Sequence, residues 1–260
     1  MNSNNKPLIL VTNDDGITAP GLRALIKMMN EIGEVFVVAP DSPQSGMGHA
    51  ITVDSTLFCE KVKLDDGPQS DREWACSGTP VDCVKLAVNR ILPRRPDICV
   101  SGINHGSNSS INVIYSGTMS AAVEAGVDGI PAIGFSLCDF SYHADFFAAK
   151  KYIQRIVSQS LEKKMKKGMV LNVNIPKLSE NELKGIKVCR QAKAIWQEDY
   201  DKRSSPRGKT YYWLTGKFVN LDSGDDTDER ALEEGYISVV PIQYDMTAHD
   251  YISVLNNWEL

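Results

Sequence analysis

Short, uninterrupted apolar runs alternating with amphipathic stretches constrain this chain more than any other feature. Residues 8–12 and 35–39 are continuous β-rich apolar runs, and 21–31 between them carries helical spacing, so together they predict a βαβ unit. The alternation continues, with strands predicted at 98–101, 132–136 and 170–175 and helices at 80–91, 117–127 and 145–164. Strands that are apolar on both sides must be covered on both sides. The pattern therefore predicts an α/β chain with a mostly parallel sheet between two layers of helix, a Rossmann-like three-layer α/β/α fold. At Thr79-Pro80 a capping hydroxyl precedes a proline at the first helical position, with Asp82 three residues after the cap, so these residues have a structural role.

Two stretches break the rhythm. Residues 51–76 are shorter in pattern and more polar, as expected of a β-hairpin beside the main sheet. From 191 to 234 the sequence turns polar, aromatic and acidic, which predicts a projecting β-hairpin with one strand at 210–218, whose Tyr211, Tyr212 and Trp213 suit a subunit interface. Residues 191–200 read as a loop, with base selectivity as an expected role on position alone. A strand at 236–241 and a helix opening at 247 close the chain. One domain is expected, with its core at about 7–190 and an oligomerisation hairpin and tail at about 191–260.

Several classes of function are disfavoured. The apolar runs fall well short of the ~20 residues that cross a bilayer, and residues 1–6 lack a signal peptide's charged and apolar regions, so a cytoplasmic protein with no membrane partner is expected. Six cysteines (59, 76, 83, 99, 138 and 189) contain no C-x-x-C pair, which fits reduced, buried thiols better than disulfides or zinc. A net charge of -5 argues against a nucleic-acid partner, and the basic run at 163–167 reads as a solvated helix C-terminus.

Open parallel sheets bind ligands at the carboxyl ends of their strands, so the turns after the apolar runs carry the chemistry. Those turns are Thr12-Asn13-Asp14-Asp15-Gly16, Pro40 to Gly46, and Ser101-Gly102-Ile103-Asn104-His105-Gly106, followed by Tyr115-Ser116-Gly117-Thr118 opening a helix. Adjacent carboxylates raise each other's pKa unless neutralised, so Asp14-Asp15 calls for a cation; with the Ser45 hydroxyl and the Asn104 carbonyl, the all-oxygen set suits Mg²⁺, Mn²⁺ or Ca²⁺. Taken alone, Asp-Asp-Gly and the Asn104 turn are ordinary tight turns. Ser116, Gly117 and Thr118 offer free N–H groups and hydroxyls to a phosphate, or form a plain helix cap. His105 lies within the Asn104 turn as a candidate acid or substrate contact. No P-loop, no G-x-G-x-x-G after the first strand and no G-x-S-x-G elbow is present.

In combination these turns resemble the SurE survival-protein family. The resemblance rests on Asn13-Asp14-Asp15-Gly16 with Ala19-Pro20-Gly21, Val38-Ala39-Pro40 with Gln44-Ser45-Gly46, Gly78-Thr79-Pro80, Ser101-Gly102-Ile103-Asn104 and Tyr115-Ser116-Gly117-Thr118. It extends through Pro206-Arg207-Gly208, Asp228, Glu234-Gly235-Tyr236 and Thr247-Ala248-His249. It implies hydrolysis of nucleoside 5′- and 3′-monophosphates, in some members an exopolyphosphatase activity as well. It also implies one divalent metal cation per subunit on Asp14, Asp15, Ser45 and Asn104, with Asp14 and Asp15 as the catalytic acids. Asn13, Gly46, Asn104, Ser116, Gly117 and Thr118 are the expected phosphate and substrate contacts. A homodimer or homotetramer with exchanged C-terminal segments is implied too. Gln44 departs from the pattern, because relatives often carry a basic residue there. Either a water or the Asp14 carboxylate can be the nucleophile. The alternatives to an enzyme are a non-catalytic nucleotide sensor and an oligomeric scaffold.

Overall fold

The computed structural model describes residues 6–141 and 143–259, so residues 1–5, most of the stretch read for a signal peptide, lie outside the described residues. Strand β1 (Leu8–Thr12) leads into helix α1 (Pro20–Asn30), which returns through β2 (Glu34–Pro40) lying parallel to β1. Every residue of β1 is buried. Its side chains alternate between faces, Ile9 and Val11 packing in one core layer and Leu10 in the other.

A hairpin of β3 (Cys59–Val62) and β4 (Glu73–Cys76) follows, and β4 pairs parallel with β2, so the hairpin extends the main sheet at its edge. Helix α2 (Pro80–Leu86) opens with the capping box of Thr79 and Asp82. The helix expected to reach residue 91 changes winding at Ala87, where Ala87–Ile91 form a π-helical turn. Next come β5 (Ile98–His105), a 3₁₀ turn (Ser110–Ile114), α3 (Gly117–Val127) and β6 (Ala132–Leu137). Helix α4 (Lys150–Glu162) begins later than the expected 145, after turns in which Asp145 caps the Phe147 amide at 2.9 Å, and it leads to β7 (Val170–Ile175).

The remainder comprises β8 (Ile186–Val188), β9 (Ala194–Ser204), β10 (Thr210–Asn220), α5 (Asp228–Glu233), β11 (Ile237–Ile242) and α6 (His249–Leu255). The stretch 191–200 is thus not a loop, because from Ala194 it forms a strand paired in full with β10. That antiparallel ribbon stands apart from the main sheet, whose order among the described residues is β3-β4-β2-β1-β5-β6-β7-β11-β8. Strands β4 to β7 are parallel, and β11 runs antiparallel to β7. Helices α1 and α4 cover one face through Leu22, Leu25, Ile26, Met29, Ile153 and Val157. Helices α2 and α3 cover the other through Val84, Met119, Ala122 and Ala125.

The cysteine expectation needs correcting. Cys59 and Cys76 stand directly opposite each other across β3 and β4 and form a disulfide, while Cys83, Cys99, Cys138 and Cys189 are free. Strand register created the pair, and residue spacing in sequence does not reveal it.

Candidate active site

The chain leaves β1 toward β2 on one side and later re-enters through β5 on the other, so the strand order reverses between β1 and β5. Such a reversal leaves a crevice at the carboxyl ends of the two strands. Asp14 and Asp15 follow β1 there, and Asn104 lies near the end of β5. Close backbone approach makes the arrangement possible. A Cβ on Gly21 would stand 2.0 Å from the Ile103 carbonyl oxygen, so only glycine lets α1 lie against β5. Between Ser101 and Asn104 the β5 register shifts against β6, with Gly102 at φ 123°, and the bulge re-aims the residues that follow.

Asp14 is buried, with 4% of its surface exposed. Its carboxylate accepts from the Thr118 hydroxyl and the Thr118 amide at the α3 N-terminus. Gly117 makes room for it, since a Cβ there would lie 2.6 Å from the Asp14 Cβ. Burial pushes the Asp14 pKa up to about 6, against the pull of the Thr118 hydroxyl and with a further push from Asp15. Asp15 is half-buried; burial raises its pKa while the His105 backbone amide opposes the rise. Among the described residues neither acid pairs with a lysine or arginine.

The turn carrying Ser45 is held over this pair. The Gln44 amide donates to the Asp14 carbonyl at 2.7 Å, His49 Nε2 lies 2.8 Å from Glu124 on α3, and Thr52 donates to Asp82 at 2.6 Å. The Asn104 amide nitrogen donates to the carbonyls of His105 (3.1 Å) and Gly106 (2.9 Å), which leaves its side-chain oxygen free to face a ligand. Asn13 donates to the Gly16 carbonyl at 3.0 Å, yet its buried side-chain oxygen has no donor among the described residues.

Two uncompensated carboxylates, two neutral oxygens and an orphaned amide oxygen fit a hard divalent cation. Among the described residues no three His, Cys, Asp or Glu side chains are grouped to hold a metal ion, so the fit depends on Ser45 and Asn104.

A cleft of about 740 Å³ opens beside the acids, lined by Asp14, Ser45, Gly46, Asn104, His105 and Ser116 of the expected residues. Gly117 and Thr118 sit behind the cleft wall and hold Asp14, and Ser116 caps the Met119 amide at 3.0 Å. The His105 ring rests edge-on against Phe146, while His249 lies on α6, 2.8 Å from Asp245. Part of the lining was not foreseen residue by residue: Tyr115, Phe140, Trp196 and Phe218 are aromatic residues of the cleft, and Glu229 lines it too. Trp196 packs edge-on against Phe218, and its Nε1 donates to Asn112 at 2.7 Å, tying the ribbon base to the 3₁₀ turn. Isolated aromatics in a polar stretch were the one sequence signal for Trp196 and Phe218.

Within the cleft lining, Asn108 is fixed by Asn174 through its amide (2.8 Å), Ser136 (2.8 Å) and Asn172 (2.8 Å), all buried. A satisfied polar network of this kind holds the loop after β5 in one conformation.

Comparison with known proteins agrees with this geometry. The family model described as "Survival protein SurE" matches residues 9–198. A protein of Flavobacterium johnsoniae named 5′-nucleotidase SurE is 68% identical over 255 residues, covering 98% of each chain. One of Christiangramia forsetii with the same name is 67% identical, again over 98% of each. The crystal structure of SurE protein from Aquifex aeolicus superposes with a TM-score of 0.82 at 37% identity, covering 96% of this chain and 98% of that one. With the family model spanning most of the chain and relatives of this identity along its length, the chain belongs to the SurE family.

Proposed function

We propose that this chain is a divalent-metal-dependent nucleotidase that hydrolyses nucleoside 5′- and 3′-monophosphates to nucleoside and phosphate. The observation that carries the reading is the paired acids Asp14 and Asp15 at the strand-order reversal, of which Asp14 lines a cleft that also has aromatic lining residues. Relatives named 5′-nucleotidase SurE, at 67% and 68% identity, support it. Asp14, Asp15, Ser45 and Asn104 would hold one Mg²⁺, Mn²⁺ or Ca²⁺ ion. Bound there, the cation would neutralise phosphate charge and lower the pKa of water.

The chain's own residues do the rest. Ser45, Gly46 and Ser116 border the phosphate end of the cleft, and the aromatic wall orients the nucleoside so that the phosphorus faces the acids. Thr118 and Gly117 fix the Asp14 carboxylate. Asp14 either takes the proton of an attacking water or attacks phosphorus itself. In both routes the ester P–O bond breaks, the leaving alcohol gains a proton and water supplies the new oxygen. Acid quench during turnover separates them, because attack by Asp14 leaves a phosphoryl group covalently on the protein before water releases it, whereas direct attack by water leaves none.

The same reading gives a homodimer or a dimer of dimers with exchanged C-terminal segments. Helix α6 buries none of its residues within one chain, and Tyr251, Ile252 and Val254 stand exposed on it. Tyr211, Tyr212 and Trp213 are exposed on the ribbon. The proposed compartment is the cytoplasm; no described helix is long and apolar enough to cross a membrane.

The test is phosphate release by chelator-treated full chain from a panel of nucleoside 5′- and 3′-monophosphates, with and without Mn²⁺, Mg²⁺ or Ca²⁺, beside Asp14→Asn. Metal-restored turnover lost in the variant is expected. Silence under every metal, or near-normal turnover in Asp14→Asn, would overturn the reading.

A further inference from the structure

Asp228 and Glu229 open α5 side by side and do different things. Asp228 is fully buried, and its carboxylate accepts the backbone amides of Ser110 (2.8 Å), Ala192 (2.9 Å) and Glu229 (2.9 Å). Those bonds tie the start of α5 to the loop after β5 and to the base of the ribbon, so Glu229 is set at the cleft by a rigid support. Glu229 lines the same cleft as Asp14, Ser45 and Asn104.

One carboxylate oxygen of Glu229 accepts from the Ser109 hydroxyl, which lies 2.5 Å from the Ser107 hydroxyl. Its other oxygen makes no hydrogen bond, and no lysine or arginine pairs with the group, among the described residues. Burial raises its pKa, opposed by the Ser109 donation and assisted by Asp228 and Glu233.

A half-buried carboxylate without a cation must be met by a donor or bear the cost of desolvation. A phosphate cannot be that donor, and a second anion beside it is repelled. A nucleoside stacked on the neighbouring aromatic wall can be, because its ribose hydroxyls and base amino group are O–H and N–H donors. Resting on the nucleotidase reading, we infer that Glu229 is a specificity-determining residue: it accepts a hydrogen bond from the nucleoside and turns away substrates that would place a further phosphate there. The acidic group at the nucleoside end therefore makes this protein a monophosphate esterase rather than a polyphosphatase.

The experiment compares wild type, Glu229→Ala and Glu229→Gln as full chains with Mn²⁺, measuring kcat/KM for AMP, p-nitrophenyl phosphate and tripolyphosphate. Loss of one charge-assisted hydrogen bond lowers the AMP to p-nitrophenyl phosphate ratio roughly 10- to 100-fold in Glu229→Ala, and less in Glu229→Gln, which keeps an acceptor oxygen. The tripolyphosphate to AMP ratio rises in both. The donor is identified by repeating the comparison with 2′-deoxy-AMP and IMP: an effect absent on the first assigns it to the 2′-hydroxyl, and one absent on the second to the base amino group. A purely structural partner of Ser109 would lower all substrates alike, so unmoved ratios overturn the inference. A wild type that turns over none of these substrates overturns instead the nucleotidase reading beneath it.

Discussion

Replacing Gly117 by alanine sets a local preference against a tertiary contact. Gly117 opens α3 with a backbone conformation any residue adopts, and alanine there improves helix propensity by up to about 1 kcal/mol. The new Cβ, however, would stand 2.6 Å from the Asp14 Cβ and 2.8 Å from one carboxylate oxygen. A relaxed carbon–carbon contact is about 3.6 Å, so the acid or the helix start must move by about 1 Å. Overpacking of this kind costs about 1–3 kcal/mol, and the net loss of stability is therefore modest, about 0–3 kcal/mol. Catalysis suffers far more, because a displacement of about 1 Å at a reacting group costs on the order of 100-fold. The assay is kcat/KM on AMP under saturating Mn²⁺, beside urea unfolding of the same preparations. Activity close to wild type with unchanged stability would show that Asp14 does not need the position the structure gives it, and the reasoning would fail.

Three further outcomes are expected. Arg23 reaches buried Glu73 at 2.6 and 3.0 Å, so Arg23→Met leaves that carboxylate with no cation and only the Gln69 amide as donor, and should cost about 3–5 kcal/mol in urea unfolding; Arg23→Met with Glu73→Gln should recover part of it, and additive losses would refute the pairing. Burial alone would raise the Asp82 pKa, but donations from Thr52 and Thr79 outweigh it and hold the group below 3.8. A depressed carboxylate stabilises the fold above its unfolded value and loses that stability as pH falls through the folded value, so Asp82→Asn should flatten the decline in urea midpoint below about pH 4. Parallel wild-type and variant curves would contradict this. Trp196→Ala, which removes the ring packed on Phe218, should weaken binding of AMP by about 1–3 kcal/mol, read as a rise in KM with little change in kcat, whereas an unchanged KM would take Trp196 out of the nucleoside wall.

The fold was most legible where burial is symmetrical. The strand at 8–12 and the strand at 170–175 coincide with β1 and β7 because a strand covered on both faces writes a continuous apolar run. The helix at 117–127 coincides with α3 for a related reason, being small and apolar on nearly every side. Strand β9 was not legible: after Ala194 its residues are exposed, and its pairing with β10 runs through backbone groups that leave no apolar signature. The helix expected at 80–91 ends early because a change in winding at Ala87 leaves side-chain periodicity almost intact.

At the candidate site, the turns that carry Asp14, Asp15, Ser45 and Asn104 stand out in the sequence, because unusual residues cluster directly after apolar strands. Local sequence determined which groups stand at strand ends and what charge they bring. Only the tertiary structure decided that Thr118, more than a hundred positions away, holds Asp14. It likewise brought Trp196, Phe218 and Glu229 into the cleft lining and put Cys59 across from Cys76. The physical reason is the range of the forces involved. Strand burial and turn geometry act over a few residues and are written in order along the chain, whereas a desolvated acid or an aromatic wall is completed by whichever distant segment the strand order brings beside it.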